Sequence, residues 1–402
     1  MDCIVFIGTH KSGSSYDAIS AAAGLGYFTV LLADKESQLD QAAEFPAVGL
    51  MLRCALDDPE HIRRGLGLLP EKGLKARAIV GFTEEHCHAA SLMAKECGLR
   101  YFTPDAIKTM LNKLETRRAI QDSPYSPFFR AIDNKSELGR RDILEKLPFI
   151  MKNPVSAGSK EVYKVCAREE CEAAFDEIRA RRPEGPVLLE EFLDGPQFLA
   201  ETLTVDKDVR VAAVVGQEIS YDYRFIVTGY SVLTDRRGEL YASVCAAAKD
   251  IVKLIGMENG PCHLEMRLVR GEWKLIEANP RISGGVMNTL IETAFGVNLV
   301  RETLKLALGR QPDLEPKHIK EAFAQYVTVQ KAGILLRVTG RNRAAECEGV
   351  EHVYVKPRKG QLIIPPISMG QRYAYVVATG GTAERAAQNA RYAAGQIRFY
   401  VN

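Results

Sequence analysis

The segment HLEMRLVRGEWKLIEANPR, residues 263–281, constrains this chain more than any other stretch. It reads as two apolar-alternating strands, 262–269 and 273–278, joined at a glycine-containing turn. With Arg270-Gly271-Glu272 as a three-residue loop, the register sets Glu265 opposite Glu277 and His263 opposite Asn279. Side chains alternate along a strand, so all four share one face. Opposed residues have Cβ atoms roughly 4.5–5.5 Å apart, and two carboxylates that close repel unless a cation stands between them. Carboxylate and amide oxygens suit Mg²⁺, which binds through one or two protein carboxylates together with phosphates. Arg281 continues toward the same side if the chain stays extended. A solvated charged face is the plainer reading of such a pair. The apolar approach, turn and glycine pair of IEANPRISGG at the same place favour the metal.

Ahead of the hairpin the chain changes character. Short apolar strands at 2–8, 27–33 and 76–81 alternate with helical segments at 16–25 and 88–97, the pattern of a parallel sheet flanked by helices. A helix is expected over 103–118, opened by Pro104 and containing Lys113. Pro124 and Pro127 make 121–129 a loop. Strands at 147–152 and 161–166 are joined by the loop NPVSAGSK, followed by a helix at 169–181 and strands at 187–193, 198–205 and 209–215. Another helix covers 243–256, and Gly284-Gly285 open one reaching 296. Short strands follow at 324–329, 333–338, 352–355 and 373–379, with a closing helix over 382–399. The 402 residues suit two or three units at about 100–200 residues each. The expected division is an α/β domain at 1–105, a linker helix with a central or lid domain at 106–190, and an α+β domain at 191–402.

Composition removes several classes of function. Lys plus Arg number 53 against 51 Asp plus Glu, so charge gives no case for nucleic acid or an anionic membrane as partner. Nine cysteines without a CxxC read as free thiols in a reducing, cytoplasmic setting. The start MDCIVFIGTH has no basic region before its apolar run and is not read as a signal peptide. GTHKSGSS has the glycine spacing of a phosphate loop, but Ser14 stands where lysine is required. No G-x-G-x-x-G follows the first strand, and no G-x-S-x-G supports a serine hydrolase. His86 and His88 read as exposed residues at a helix start, with no third metal ligand nearby.

Two lysines are candidates for phosphate contact. Lys152 ends the strand FIMK just before a loop in which Ser156, Ala157, Gly158 and Ser159 can bring backbone N–H groups to an anion. Lys113 lies on a separate helix. Either lysine alone is no more than an ordinary surface charge. The run VLLEEFLDGPQF can lay its backbone along an adenine edge or be an edge strand with a solvated acidic end; the residues alone leave both open.

In sequence order, Lys113, Lys152, a glycine loop, EEFLDG, HLE and IEANPR resemble the ATP-grasp superfamily, most strongly from 113 to 285. The resemblance implies an ATP-grasp fold with an N-terminal parallel-sheet domain, a small lid domain and a C-terminal antiparallel-sheet domain. It further implies that Lys113 and Lys152 contact the ATP phosphates and that Ser156, Gly158 and Ser159 belong to the loop covering them. Glu190, Glu191 and Leu193 would line the adenine slot. Gln197 departs from the acid often found at the ribose. Glu265, Glu277 and Asn279 would hold Mg²⁺, or Mn²⁺ in its place. Arg281 would act at the reacting carboxyl group, with Gly284 and Gly285 receiving a carboxylate. Within the superfamily, HLEMR, IEANPRISGG and the ending GILLRVTG…QLIIPPISMGQRYAYVVATGGTAERA resemble bacterial L-amino acid ligases. The implied activity joins two amino acids through an acyl phosphate in a cytoplasmic homodimer. The alternatives are another carboxylate–amine ligase, a biotin-carboxylase-like carboxylase, or a nucleotide-binding regulator without turnover.

Overall fold

The first strand, β1 (Asp2–Ile7), is buried from Cys3 onward, as a strand covered on both faces must be. In this computed structural model, which describes residues 1–34, 42–156, 161–221 and 225–402, it lies at the centre of a parallel sheet. Its companions are β2 (Phe28–Ala33), β3 (Leu50–Arg53) and β4 (Lys75–Val80), in the order β3-β2-β1-β4. β3 and the helix Pro59–Gly67, capped by Asp58, are additions to the expected elements.

The middle of the chain builds a four-stranded antiparallel sheet from β5 (Phe129–Ile132), β6 (Phe149–Lys152), β7 (Val162–Val165) and β8 (Val187–Glu191). The order is β5-β8-β6-β7, so β8 is an interior strand and the solvated-edge reading of VLLEE fails. Ile132, Phe149, Met151 and Leu189 pack with Cys171, Phe175 and Ile178 of the helix Arg168–Arg181 as a separate core. Full burial of each such aliphatic or aromatic side chain contributes about 1.5–3 kcal/mol.

The remaining strands are β9 (Gln197–Val205), β10 (Asp208–Tyr221), β11 (Phe225–Val232), β12 (Gly260–Val269), β13 (Glu272–Asn279), β14 (Glu321–Val327), β15 (Gly333–Thr339), β16 (Val350–Val355), β17 (Leu362–Ile363), β18 (Ala374–Gly380) and β19 (Arg398–Val401). Eight of them form one antiparallel sheet, ordered β13-β12-β9-β10-β11-β14-β18-β16, and β17-β15-β19 form a small satellite. One apolar core runs from Phe6 and Phe82 of the first unit to Leu199, Leu203 and the helix Glu239–Ile255 of the large sheet. No described helix is long and apolar enough to cross a membrane, and all nine cysteines are free thiols.

Three of the expected helices need correction. The helix expected over 103–118 is two helices, Pro104–Met110 and Lys113–Ile120. Asn112 Oδ1 accepts from Leu114 N at 3.0 Å and Glu115 N at 3.4 Å, so Lys113 opens the second helix instead of lying inside the first. The closing helix ends at Ala394, and β19 pairs with β15 beyond it. Gly284 and Gly285 do not open a helix; that helix is Met287–Phe295, and the glycines form the turn before it.

Candidate active site

β12 and β13 pair Glu265 with Glu277 and His263 with Asn279. The loop between them is shorter than expected. Val269 pairs with Glu272 across Arg270 (φ 51°) and Gly271 (φ 86°), two left-handed residues that suit a two-residue hairpin. A bulge restores the facing pair: Met266 pairs with Leu275 and Glu265 with Glu277, leaving Ile276 without a partner on β12. The Ile276 carbonyl accepts from Arg117 Nη2 at 2.6 Å. The bulge therefore does two things: it sets the acids opposite each other and ties the hairpin to the helix Lys113–Ile120.

The hairpin forms one wall of a cleft of about 350 Å³. Lys113, Lys152, Ser156, Glu190, Glu191, Leu193, Gln197, Glu265, Glu277, Asn279, Arg281, Gly284 and Gly285 all line it. Ala157, Gly158 and Ser159 lie outside the described residues. Phe225, Val227 and Tyr230 of β11 line it as well.

Each acid in the cleft meets a basic or amide partner. Lys113 Nζ stands 3.0 Å from Glu277 Oε1 and donates to the Ser156 carbonyl at 2.6 Å. Burial works against ionisation of Glu277, but Lys113 and Lys152 hold it below the usual carboxylate range. Glu265 accepts from Gln197 Nε2 at 2.9 Å and lies 3.5 Å from His263 Nε2. Gln197 in turn accepts from Arg267 Nε at 2.9 Å, and Arg267 Nη1 donates to the Leu193 carbonyl at 2.5 Å. The amide at the expected ribose position is thus already engaged on both sides. Glu190 does not point freely into the adenine slot: its carboxylate lies 2.5 Å from Lys152 Nζ and 2.6 Å from Arg117 Nε. Glu191 Oε2 accepts from Phe128 N at 3.2 Å, fixing the loop ahead of β5.

Arg281 Nη2 lies 3.0 Å from Glu84 Oε2 and Nη1 donates to the Ile282 carbonyl at 3.3 Å. Burial disfavours the charged guanidinium, yet Glu84 and Glu277 stabilise it further. The turn after Arg281 is held from the first unit, where Ser14 Oγ donates to the Ser283 carbonyl at 2.5 Å. A Cβ on Gly13 would come within 3.0 Å of Gly285 N. The loop that lacked its phosphate-binding lysine thus serves as a buttress.

Four participants carry no local sequence signal: Glu84, Arg117, Glu201 and Ser283. Glu201, wholly buried on β9, accepts from Ser283 Oγ and, at 3.2 Å, from Ser283 N, and lies 2.7 Å from His263 Nδ1. They meet the site only through long-range pairing, which spacing does not encode. His86 and His88, expected to be exposed, are half-buried.

The oxygens of Glu265, Glu277 and Asn279 are hard donors on adjoining strands, and the two carboxylates keep 25% and 24% side-chain exposure toward the cleft. Among the described residues no group of three His, Cys, Asp or Glu could hold a metal ion by itself. This donor set fits Mg²⁺ shared with phosphate oxygens better than a metal held by protein alone.

Residues 145–290 match the ATP-grasp domain family, and residues 325–402 match the C-terminal domain 2 of L-amino acid ligases. An uncharacterized protein of Sinorhizobium fredii is 29% identical over 68% of this chain and 58% of its own length. An L-arginine-specific L-amino acid ligase of Bacillus subtilis is 20% identical over 54% of this chain and 55% of its own. The matches thus span little more than half of these relatives. An L-amino acid ligase from Bacillus licheniformis superposes with a TM-score of 0.86 at 20% identity, covering 100% of this chain and 99% of that one, a likeness of fold.

Proposed function

We propose that this chain, which matches the ATP-grasp domain family over residues 145–290, is an ATP-dependent carboxylate–amine ligase that joins two L-amino acids, releasing ADP and phosphate. One observation carries this reading: Lys113, Lys152 and Arg281 enter the same cleft as Glu265, Glu277 and Asn279. A carboxylate approaching a triphosphate meets strong repulsion unless cations are already in place.

In this reading the carboxylate of the first amino acid attacks the γ-phosphorus and ADP leaves. The amine of the second attacks the acyl carbon, and phosphate leaves. Glu265, Glu277 and Asn279 would hold Mg²⁺, which supplies Lewis-acid charge neutralisation between phosphates. Lys113 gives up its contact with Glu277 for a phosphate oxygen. Lys152 and Arg117 share Glu190, so this cluster keeps one uncompensated positive charge toward the cleft. Arg281, held by Glu84, steadies the donor carboxylate and then the oxyanion formed when the amine adds. The small sheet carries Lys152 within a lid unit of 106–190, closing on the 191–402 unit. The same reading takes the enzyme as a cytoplasmic homodimer, a state light scattering reads directly.

The experiment is a screen of amino-acid pairs for phosphate release, with the condensed product identified by mass. A pair that releases phosphate and yields a dipeptide supports the reading. Phosphate release that needs bicarbonate and no second amino acid indicates a carboxylase instead.

A further inference from the structure

We propose that Arg372 is the docking cation for the α-carboxylate of the amine-bearing substrate, and that the chamber behind it receives that substrate's large uncharged side chain. The proposal rests on the ligase reading and deepens it by naming the acceptor class.

Arg372 lies just before β18 and lines two cavities at once, the reaction cleft and a side chamber of about 470 Å³. The two meet at Gly285, Met369 and Arg372. The guanidinium is held but not neutralised. Nε donates to the Met369 carbonyl at 3.2 Å, and Nη1 reaches the Val227 carbonyl at 3.5 Å and Tyr230 Oη at 3.4 Å. Its Cζ lies 3.8 Å from the Tyr326 ring centre. Among the described residues no carboxylate forms an ion pair with it, whereas Arg117 and Arg281 each have one. Burial disfavours the charge, but Tyr326, Tyr230 and Glu265 favour it, so an arriving carboxylate meets a standing cation. Lys356, on the same chamber wall, donates from Nζ to the Gly370 carbonyl at 3.1 Å, and Lys11 and Asp17 line the chamber with it.

The reaction supplies an anion for this place. The donor carboxylate must stand at the phosphates beside Arg281. The acceptor brings a second carboxylate that must stay clear of them while its amine points inward. Arg372 is placed for that: it stands with Gly285 and Met369 where the cleft opens into the chamber. Tyr16, Tyr326, Tyr354 and Tyr375 line the chamber. The last three form a contiguous ring cluster, with centroids 5.8 Å apart for Tyr326–Tyr375 and 5.2 Å for Tyr354–Tyr375. Rings so placed favour an aromatic side chain, with Lys11, Asp17, His352 and Lys356 giving the same chamber polar positions.

The test is calorimetric titration of the whole chain, with a non-hydrolysable ATP analogue and Mg²⁺ present, using L-phenylalanine and L-phenylalaninamide. The carboxamide should bind about 10- to 100-fold more weakly, the range expected for a charge-assisted hydrogen bond. Arg372→Gln should weaken phenylalanine to the level of the carboxamide and leave the carboxamide unchanged. Arg372→Lys should recover part of the preference, and Arg281→Ala should keep it. Equal binding of acid and amide by the unaltered chain overturns the proposal without any variant. So does an Arg372→Gln chain that still prefers the acid. Binding is read without turnover, so a chain that binds phenylalanine through Arg372 but makes no dipeptide counts against the ligase reading alone.

Discussion

Lys152 and Glu190 meet diagonally across β6 and β8: Lys152 pairs in register with Leu188, Glu190 with Ile150, and Nζ lies 2.5 Å from Oε2. Arg117 closes on the other carboxylate oxygen. Burial pushes the Lys152 ammonium toward the neutral form, and Glu190 opposes this. Burial likewise pushes Glu190 up, but Arg117 and Lys152 prevail and hold it below the carboxylate range. Glu190→Gln leaves two buried cations facing a neutral amide and should lower stability by about 3–5 kcal/mol. Urea unfolding checks this: the midpoint should fall with the slope unchanged. A loss below about 1 kcal/mol would mean that the triad is solvated like a surface pair.

The Glu201–His263 pair makes stability depend on pH. Burial disfavours the charged imidazole, but Glu201 and Glu265 outweigh it and raise the His263 pKa to about 10. A folded-state pKa above the unfolded value means the contribution is complete below about pH 6.5 and is lost as pH rises toward 10. Melting temperature should therefore fall across that window, and His263→Asn should flatten the fall. An unchanged slope in the variant would assign the dependence to other groups.

Arg281→Ala should lower turnover by about 10²- to 10³-fold, the usual loss for one preorganised donor to a developing charge. ATP affinity should change far less, because Lys113 and Lys152 remain. Steady-state kinetics separates the two. Equal losses in turnover and ATP affinity would place Arg281 on the nucleotide.

Gly285 adopts φ +66°, and an added Cβ would stand 2.8 Å from Tyr326 Oη. That hydroxyl accepts from Val286 N at 3.3 Å, setting the start of the following helix. Gly285→Ala should cost about 1–2 kcal/mol for the left-handed backbone alone, and it should depress activity more than Gly284→Ala, whose Cβ meets nothing within 4 Å. Similar activities for the two variants would show that the turn tolerates displacement.

The hairpin shows how much of the site was legible. Alternation placed Glu265 opposite Glu277, yet the loop has one residue fewer than supposed and a bulge at Ile276 makes up the difference. A short sequence cannot distinguish a three-residue loop from a two-residue turn with a bulge, because both keep the same faces together. The break before Lys113 was written in the chain as Asn112 with Glu115 three residues on, a helix-start pattern that the apolar periodicity of 103–118 obscured. The helix expected over 382–399 takes in Arg398 and Phe399 of the last strand, because four residues carry too little periodicity to separate them. Glu84 and Arg281 are 197 residues apart, and Glu201 and Ser283 are 82 apart. Nothing local marks such partners; only the docking of the first unit on the large sheet brings Glu84 to Arg281.

The most direct measurement follows oxygen from the donor carboxylate. With an amino acid carrying ¹⁸O in its carboxyl group and a second amino acid as acceptor, each turnover should place one ¹⁸O in the released phosphate, because the oxygen that attacks phosphorus leaves with it. Unlabelled phosphate alongside dipeptide formation, or label recovered in AMP, would contradict phosphoryl transfer to the carboxylate and with it the role assigned to the cations of this cleft.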